Sequence, residues 1–205
     1  MTWLTESIKY GQFSTSWLEI LGFITGAICV YLNTQQNVWG WFFGIINAVL
    51  YSIVFYNSKL YADTGLQVYY FATSIYGYWM WRFGGQNRQQ LTVSAFPRRY
   101  VWPSVAIFVS VTLGWGFLLG KFTDASLSYA DSALTVASLI AQWMMARKYL
   151  QNWLIWIVAD ACYVAMYAYK SLYLTSVLYF VFLILAIVGY FSWKKEKQIQ
   201  ATLAT

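Results

Sequence analysis

Histidine is absent from this 205-residue chain, and aspartate plus glutamate number only seven. The lack of histidine removes the usual base of a nucleophilic triad and the commonest metal ligand. No clustered carboxylate pair stands in for it, so no catalytic constellation, metal site or cofactor is expected and the chain does not read as an enzyme. Charged residues of both signs make up 10% of the chain, too few to wet the surface of a soluble domain of this size. Cysteine is limited to Cys29 and Cys162, both inside apolar runs, which argues for small buried side chains rather than an exposed disulfide. Gly84-Gly85 has no phosphate-loop pattern around it and reads as loop punctuation.

What the chain has in quantity is apolar and aromatic surface, 60% and 21% of residues. Stretches near the roughly 20 apolar residues that cross a bilayer as helix recur along its whole length. Spans are expected at 17–35, 37–56, 64–82, 101–120, 129–146, 150–169 and 173–193. The expected fold is therefore an all-α polytopic membrane protein with seven transmembrane helices, its first partner the lipid bilayer. Residues 1–16 are too short and polar to span and read as an interfacial segment, with no removable signal peptide in them. Nine of the thirteen basic residues fall in the loops after spans 3, 5 and 7: Arg82, Arg88, Arg98, Arg99, Arg147, Lys148, Lys194, Lys195 and Lys197. Lys9, Lys59, Lys121 and Lys170 fall on the opposite side. The positive-inside rule then puts the N-terminus outside and the C-terminus in the cytoplasm, so the net charge of +6 sets topology and implies no nucleic-acid partner.

Sliding the chain on itself by 112 residues pairs Trp41 with Trp153, Tyr51 with Tyr163, and Leu60-Tyr61 with Leu172-Tyr173. The same offset pairs Leu66 with Leu178, Gly77-Tyr78 with Gly189-Tyr190, and Trp81 with Trp193, without a gap. Glu19 with Asp131, Phe55 with Tyr167 and Arg82 with Lys194 are chemically similar pairs. The predicted organisation is a three-helix repeat at 17–82, a basic loop and linker helix at 83–121, a second repeat at 122–193 and a basic tail at 194–205. The unpaired linker helix makes the repeats parallel, a 3+1+3 architecture of the kind transporters use to build a site between two halves. A seven-helix receptor or photoreceptor ranks lower, since a retinal Schiff base needs a lysine that span 7 lacks before Lys194.

One apolar run, NWLIWIVADACYVAMY, holds Asp160 at its centre. A carboxylate at mid-span costs about 2.5–3.5 kcal/mol on insertion scales, and such a residue faces a cavity or a partner. At 100° per residue, Trp153, Trp156, Asp160, Tyr163 and Tyr167 fall within about 80° of one another. Span 2 carries Trp41, Gly44, Tyr51 and Phe55 on a similar stripe with Asn47 at its edge. Span 3 carries Gln67, Tyr70, Ser74, Gly77 and Trp81, and span 5 carries Asp131, Thr135, Ser138 and Gln142. Aromatic faces attract cations by about 0.5–2 kcal/mol each, so a flat cation fits a box completed by Asp160. Asn47, Gln67, Gln142 and Asp160 would hydrogen-bond the hydroxyls of a sugar. The candidate substrate-binding set is Trp41, Asn47, Gln67, Tyr70, Ser138, Gln142, Trp153, Trp156, Asp160 and Tyr163. The plainer alternatives are helix–helix glue for Asn47 and Gln142, and interfacial anchoring for Trp3, Trp17, Trp39, Trp102 and Trp193, with Trp153 open to either role. Glu19 and Asp131 read as charges favoured at helix N-termini. Gly22, Gly26, Gly40 and Gly44 suit close helix packing.

The run from Gln142 through Met144, Arg147, Lys148, Asn152, Trp153 and Trp156 to Asp160 resembles the signature of the PnuC family of nicotinamide riboside transporters. Gln67 and Tyr70, followed by Tyr76-Gly77-Tyr78-Trp79 and Trp81, resemble it too, and the likeness extends over about residues 17–195. The resemblance implies a bacterial inner-membrane protein with a fold like that of the SWEET sugar transporters, and a homotrimer. It implies uptake of nicotinamide riboside by facilitated diffusion, with phosphorylation by a separate cytoplasmic kinase trapping the product for NAD biosynthesis. Transport of a neutral sugar, or of another nucleoside or vitamin, on the same fold is the alternative.

Overall fold

The structure is a computed structural model that describes residues 7–10, 13–57, 61–122, 128–169 and 173–203. Trp3, Lys59, Leu60, Lys170 and Leu172 lie outside the described residues. Two short strands, β1 (Ser7–Tyr10) and β2 (Phe13–Ser16), form an antiparallel hairpin within the segment expected at the interface. Among the described residues seven α-helices follow: α1 (Trp17–Thr34), α2 (Trp39–Asn57), α3 (Tyr61–Phe83), α4 (Val101–Phe122), α5 (Ser128–Ala146), α6 (Asn152–Tyr169) and α7 (Tyr173–Leu203). They fall into two compact units, Met1–Leu91 and Thr92–Thr205. In the first, α2 packs on both α1 and α3; in the second, α4 packs on α5, α5 on α6 and α6 on α7.

Among the described residues four helices are long and apolar enough to cross a membrane: α1, α2, α4 with the turn before it, and α7. The three that are less apolar, α3, α5 and α6, carry most of the candidate site residues. Several hydroxyls within the helices bond back to the carbonyls of their own turn, as hydrocarbon favours. Ser52 donates to the Ala48 carbonyl at 2.7 Å, Thr73 to Tyr69 at 2.9 Å and Thr25 to Leu21 at 2.8 Å. α7 is longer than its expected span, running as helix to Leu203 and thus through most of the expected tail. Lys, Glu, Gln, Ala and Leu in the extension are good helix formers, and at about 1.5 Å per residue nothing confines a helix to the bilayer thickness.

Local chemistry sets the ends. Ser16 and Glu19 form a capping box at α1: the Ser16 hydroxyl accepts from the Glu19 amide at 3.3 Å, and the Glu19 carboxylate accepts from the Ser16 amide at 3.0 Å. The structural role expected for Glu19 is thus met. Between α1 and α2 the chain turns through Gln36 at φ 55°, with Gln36 N–H bonded to Asn33 O at 3.1 Å and Asn37 N–H to Leu32 O at 2.9 Å. Between α5 and α6 it turns through Lys148 at φ 51°, with Lys148 N–H bonded to Met145 O at 2.9 Å and Tyr149 N–H to Met144 O at 3.0 Å. These are the same turn, 112 residues apart, each with a non-glycine residue in the left-handed region.

Each unit buries a tryptophan pair near the ends of its helices. Trp41 meets Trp81 edge to face with centroids 5.2 Å apart, and Trp153 meets Trp193 the same way at 5.4 Å. A glycine admits each indole: a Cβ on Gly77 would lie 2.5 Å from the Trp41 ring, and one on Gly189 2.6 Å from the Trp153 ring. All four tryptophans are at most 1% exposed. Trp193 is therefore not the interfacial anchor expected from its place near a span end. Trp17, Trp39 and Trp102, by contrast, are 48%, 59% and 79% exposed.

Two outcomes follow from this packing. Gly77→Ala and Gly189→Ala each force a methyl into an indole and should cost about 1–3 kcal/mol, lowering the thermal midpoint in detergent. Gly65→Ala, with nothing within 4 Å of its Cβ, should leave the midpoint unchanged or raise it. The second concerns Lys148, which is 5% exposed at the α5–α6 turn. Burial pushes its ammonium down to about 8, partly opposed by the Glu196 carboxylate. Between that value and its ordinary 10.5 the unfolded chain holds more protons than the folded one, so the cost of burying Lys148 falls, and stability rises, as pH rises through this window. The midpoint of wild type, relative to Lys148→Met, should climb from pH 8 to pH 10 and be level below.

Candidate functional site

In the second unit, α6 presents the stripe read from the sequence. Asp160 is 4% exposed at the middle of the helix, and Trp156, one turn earlier, is half-buried. The indole N–H of Trp156 is buried with no hydrogen-bond partner among the described residues. Ser138 on α5 lies within interaction reach of the Tyr163 hydroxyl, as do Asp131 and Asp160. Gln142 sits one turn beyond Ser138 on α5, half-buried. The structure thus gathers Ser138, Asp160 and Tyr163 into one polar and aromatic cluster. It ends in three phenol rings: Tyr163 lies 4.6 Å from Tyr179, Tyr179 lies 5.2 Å from Tyr167, and Tyr163 lies 6.0 Å from Tyr167.

Trp153 stands apart from this cluster. Its ring is spent on Gly189 and Trp193, and its N–H, like that of Trp41, is buried without a partner among the described residues. Trp41 is occupied in the same way by Gly77 and Trp81. Both fill the interior of their own unit.

In the first unit Gln67 is buried and Tyr70 half-buried on α3, where Tyr70 meets Tyr69 edge to face at 6.0 Å. Asn47 has a structural partner. Its amide donates to the Gly22 carbonyl at 2.6 Å and lies 3.5 Å from the Thr25 hydroxyl, so it joins α2 to α1 as the glue reading held. Gly22 itself lets α1 approach the Tyr51 ring, which stacks on Phe55 at 5.6 Å. This pair mirrors Tyr163 and Tyr167 in the second unit.

Two residues outside the candidate set belong to the picture. Tyr179 on α7 completes the phenol cluster, and the 112-residue offset from Gln67 marked its position. Asn152 is fully buried at the start of α6, donating to the Tyr149 carbonyl at 2.7 Å. Its place in the motif that carries the family resemblance was the signal; helical spacing alone did not distinguish it from a solvated cap. Among the described residues no three His, Cys, Asp or Glu side chains come together as a metal site. If Asn47 acts mainly as glue, Asn47→Ala should cost about 0.6 kcal/mol of stability. That appears as a drop of about 1–2 °C in thermal midpoint, with ligand affinity changed less than twofold.

Comparison with known proteins places the chain in a family. Residues 16–195 match the family described as nicotinamide mononucleotide transporter. The nicotinamide riboside transporter PnuC of Escherichia coli (strain K12) is 29% identical over 211 residues, covering 91% of this chain and 88% of that protein. The PnuC of Haemophilus influenzae is 27% identical over 198 residues, covering 91% and 83%. The riboflavin/roseoflavin transporter RibM of Streptomyces davaonensis is 22% identical over 166 residues, covering 78% and 76%. A crystal structure of the vitamin B3 transporter PnuC superposes with a TM-score of 0.68 at 28% identity, covering 87% of this chain and 81% of that one. With seven α-helices among the described residues and a family match across nearly their full length, the chain belongs to the nicotinamide mononucleotide transporter family of membrane proteins.

Proposed function

We propose that this chain carries nicotinamide riboside across a bacterial inner membrane by facilitated diffusion. The observation that carries the reading is the pairing, on one face of α6, of buried Asp160 with Trp156, whose buried N–H has no partner among the described residues. Nicotinamide riboside joins a flat pyridinium cation to a ribose and a carboxamide. Trp156 stacks on the ring while its N–H offers a donor to the carboxamide or a hydroxyl. Asp160 offsets the positive charge or binds the ribose. Tyr163, beside Ser138, and Gln142, Gln67 and Tyr70 orient the ligand, with Trp41 and Trp153 as structural supports and Asn47 contributing through the α1–α2 contact. The names of the bacterial relatives support the same substrate.

In this reading the architecture is 3+1+3 with parallel repeats, SWEET-like, and the protein works as a homotrimer with its N-terminus outside and C-terminus in the cytoplasm. Alternating access moves the site between the two faces, and substrate shifts the conformers only by its differential affinity for them. A separate kinase phosphorylates the product. No second deep carboxylate neighbours Asp160 in sequence, which favours uniport over a proton relay. The likeness to a riboflavin/roseoflavin transporter favours a second reading, in which the ligand is another flat heterocyclic vitamin.

Tryptophan quenching in purified protein, titrated with nicotinamide riboside, riboflavin, nicotinamide, ribose and an uncharged nucleoside, separates these readings. Saturable quenching by the riboside is expected, weakened about tenfold or more by Trp156→Ala and by Asp160→Asn. Liposome uptake at fixed voltage should survive loss of the pH gradient. Wild-type affinity and uptake in both variants would refute the site, and a response to riboflavin alone would move the substrate to the second reading.

A further inference from the structure

The first turn of α6 is held by a residue from a distant part of the chain. Gln151 precedes the helix, and its backbone carbonyl accepts from Leu154 N–H at 3.1 Å and Ile155 N–H at 3.3 Å. Its side-chain Oε1 accepts the Phe96 backbone N–H at 2.8 Å, a bond across 55 residues of sequence. The segment around Phe96 runs beside the α5–α6 turn as a single parallel rung. Ser94 N–H donates to Lys148 O at 3.0 Å, and Leu150 N–H donates to Ser94 O at 2.9 Å. Val93 and Leu150 are buried there, and the Phe96 ring meets Tyr149 edge to face at 5.3 Å and Trp143 at 6.5 Å.

The equivalent turn of the first unit is closed by a local bond. Asn37 Oδ1 accepts the Trp39 N–H from two residues away, and Trp39, which stands 112 residues before Gln151, is 59% exposed. An indole has no acceptor oxygen, so a clamp made like that of Gln151 belongs to the turn that leads into Trp156 and Asp160. Those residues stand five and nine positions beyond Gln151, about 7 and 13 Å along a rigid helix. A helix in lipid gains no hydrophobic penalty against small axial slips, so hydrogen bonds at its ends set its register. A slip of about 1 Å is enough to spoil a bound geometry.

We infer that Gln151 is a positioning residue for substrate binding: its Oε1, by holding the Phe96 N–H, sets the axial placement of α6 and hence of Trp156 and Asp160. The inference deepens the proposed function, resting on the reading of that stripe as the substrate site.

Gln151→Met keeps the length of the side chain without the acceptor; Gln151→Glu keeps an acceptor oxygen. Both would be compared with wild type in nanodiscs by tryptophan quenching with nicotinamide riboside, by hydrogen exchange of residues 152–160, and by thermal midpoint. Gln151→Met is expected to weaken binding about fivefold and to speed exchange at the start of α6 while α7 is unaffected. Gln151→Glu should restore both to within about twofold. Wild-type affinity in Gln151→Met, at whatever midpoint, overturns the inference, since the bond then serves stability alone. Equal impairment in Gln151→Met and Gln151→Glu overturns it too, because the acceptor oxygen is then not the cause. Failure of wild type itself to respond to the riboside sinks the substrate reading instead. The positioning role then stands or falls on exchange: faster α6 exchange in Gln151→Met, reversed in Gln151→Glu, sustains it, and unchanged exchange overturns it.

Discussion

In hydrocarbon no water takes the hydrogen bond of a backbone amide or competes for a side-chain hydroxyl, and helices gain nothing by hiding apolar surface from lipid of equal polarity. Secondary structure there is forced, but packing has to be won by shape. The shape this chain uses is an indole laid on a glycine. Trp41 on Gly77 and Trp153 on Gly189 bring α2 to α3 and α6 to α7 at a separation that any side chain at the glycine would prevent. The edge-to-face partners Trp81 and Trp193 close each contact. Directed hydrogen bonds add to it: the Ser52 and Thr73 hydroxyls bond back to their own helices, Ser176 bonds the Val164 carbonyl from α7 to α6, and Asn47 bonds the Gly22 carbonyl across the α1–α2 contact.

The scaffold occurs twice and the candidate site once. Tryptophan pair, glycine, left-handed turn and stacked Tyr51–Phe55 or Tyr163–Tyr167 pair all recur at the 112-residue offset. At that offset, however, Trp156 corresponds to Gly44 and Asp160 to Ala48. Gly44 lies against Ser74 and Cys29, tight small-residue packing where the second unit carries a large ring. One repeat has kept compactness where the other holds an aromatic face and a carboxylate. The indole and the carboxylate of the candidate site therefore both come from α6. The same unit has the long-range clamp from Phe96 to Gln151.

Much of this was legible before the fold was known. The helices follow from run lengths, and their ends mostly fall within a few residues of the expected spans because bilayer thickness limits apolar runs. Asp160 stood out because a mid-span carboxylate is costly wherever it points. Other features were not legible. Trp193 has the same sequence position as an anchor, and only the opposing face of Trp153 makes it core. Trp41 and Trp153 lie on aromatic stripes, but a stripe does not say whether a ring meets ligand or a glycine on the next helix. Gln36 and Lys148 occupy left-handed turns that a search for glycine passes over.

Composition, hydropathy and the internal offset by themselves determined a seven-helix membrane protein with a doubled plan and a carboxylate that needs a partner. Those properties are local: each depends on the solvent a residue must live in and on its spacing along one helix. Tertiary structure alone decided the pairings, which tryptophan meets which glycine, which carbonyl takes the Asn47 amide, which amide reaches Gln151. Helical periodicity tells which residues share a face, but the neighbour of that face comes from elsewhere in the chain. In a membrane, where apolar faces are interchangeable, only steric fit and directed hydrogen bonds choose among them.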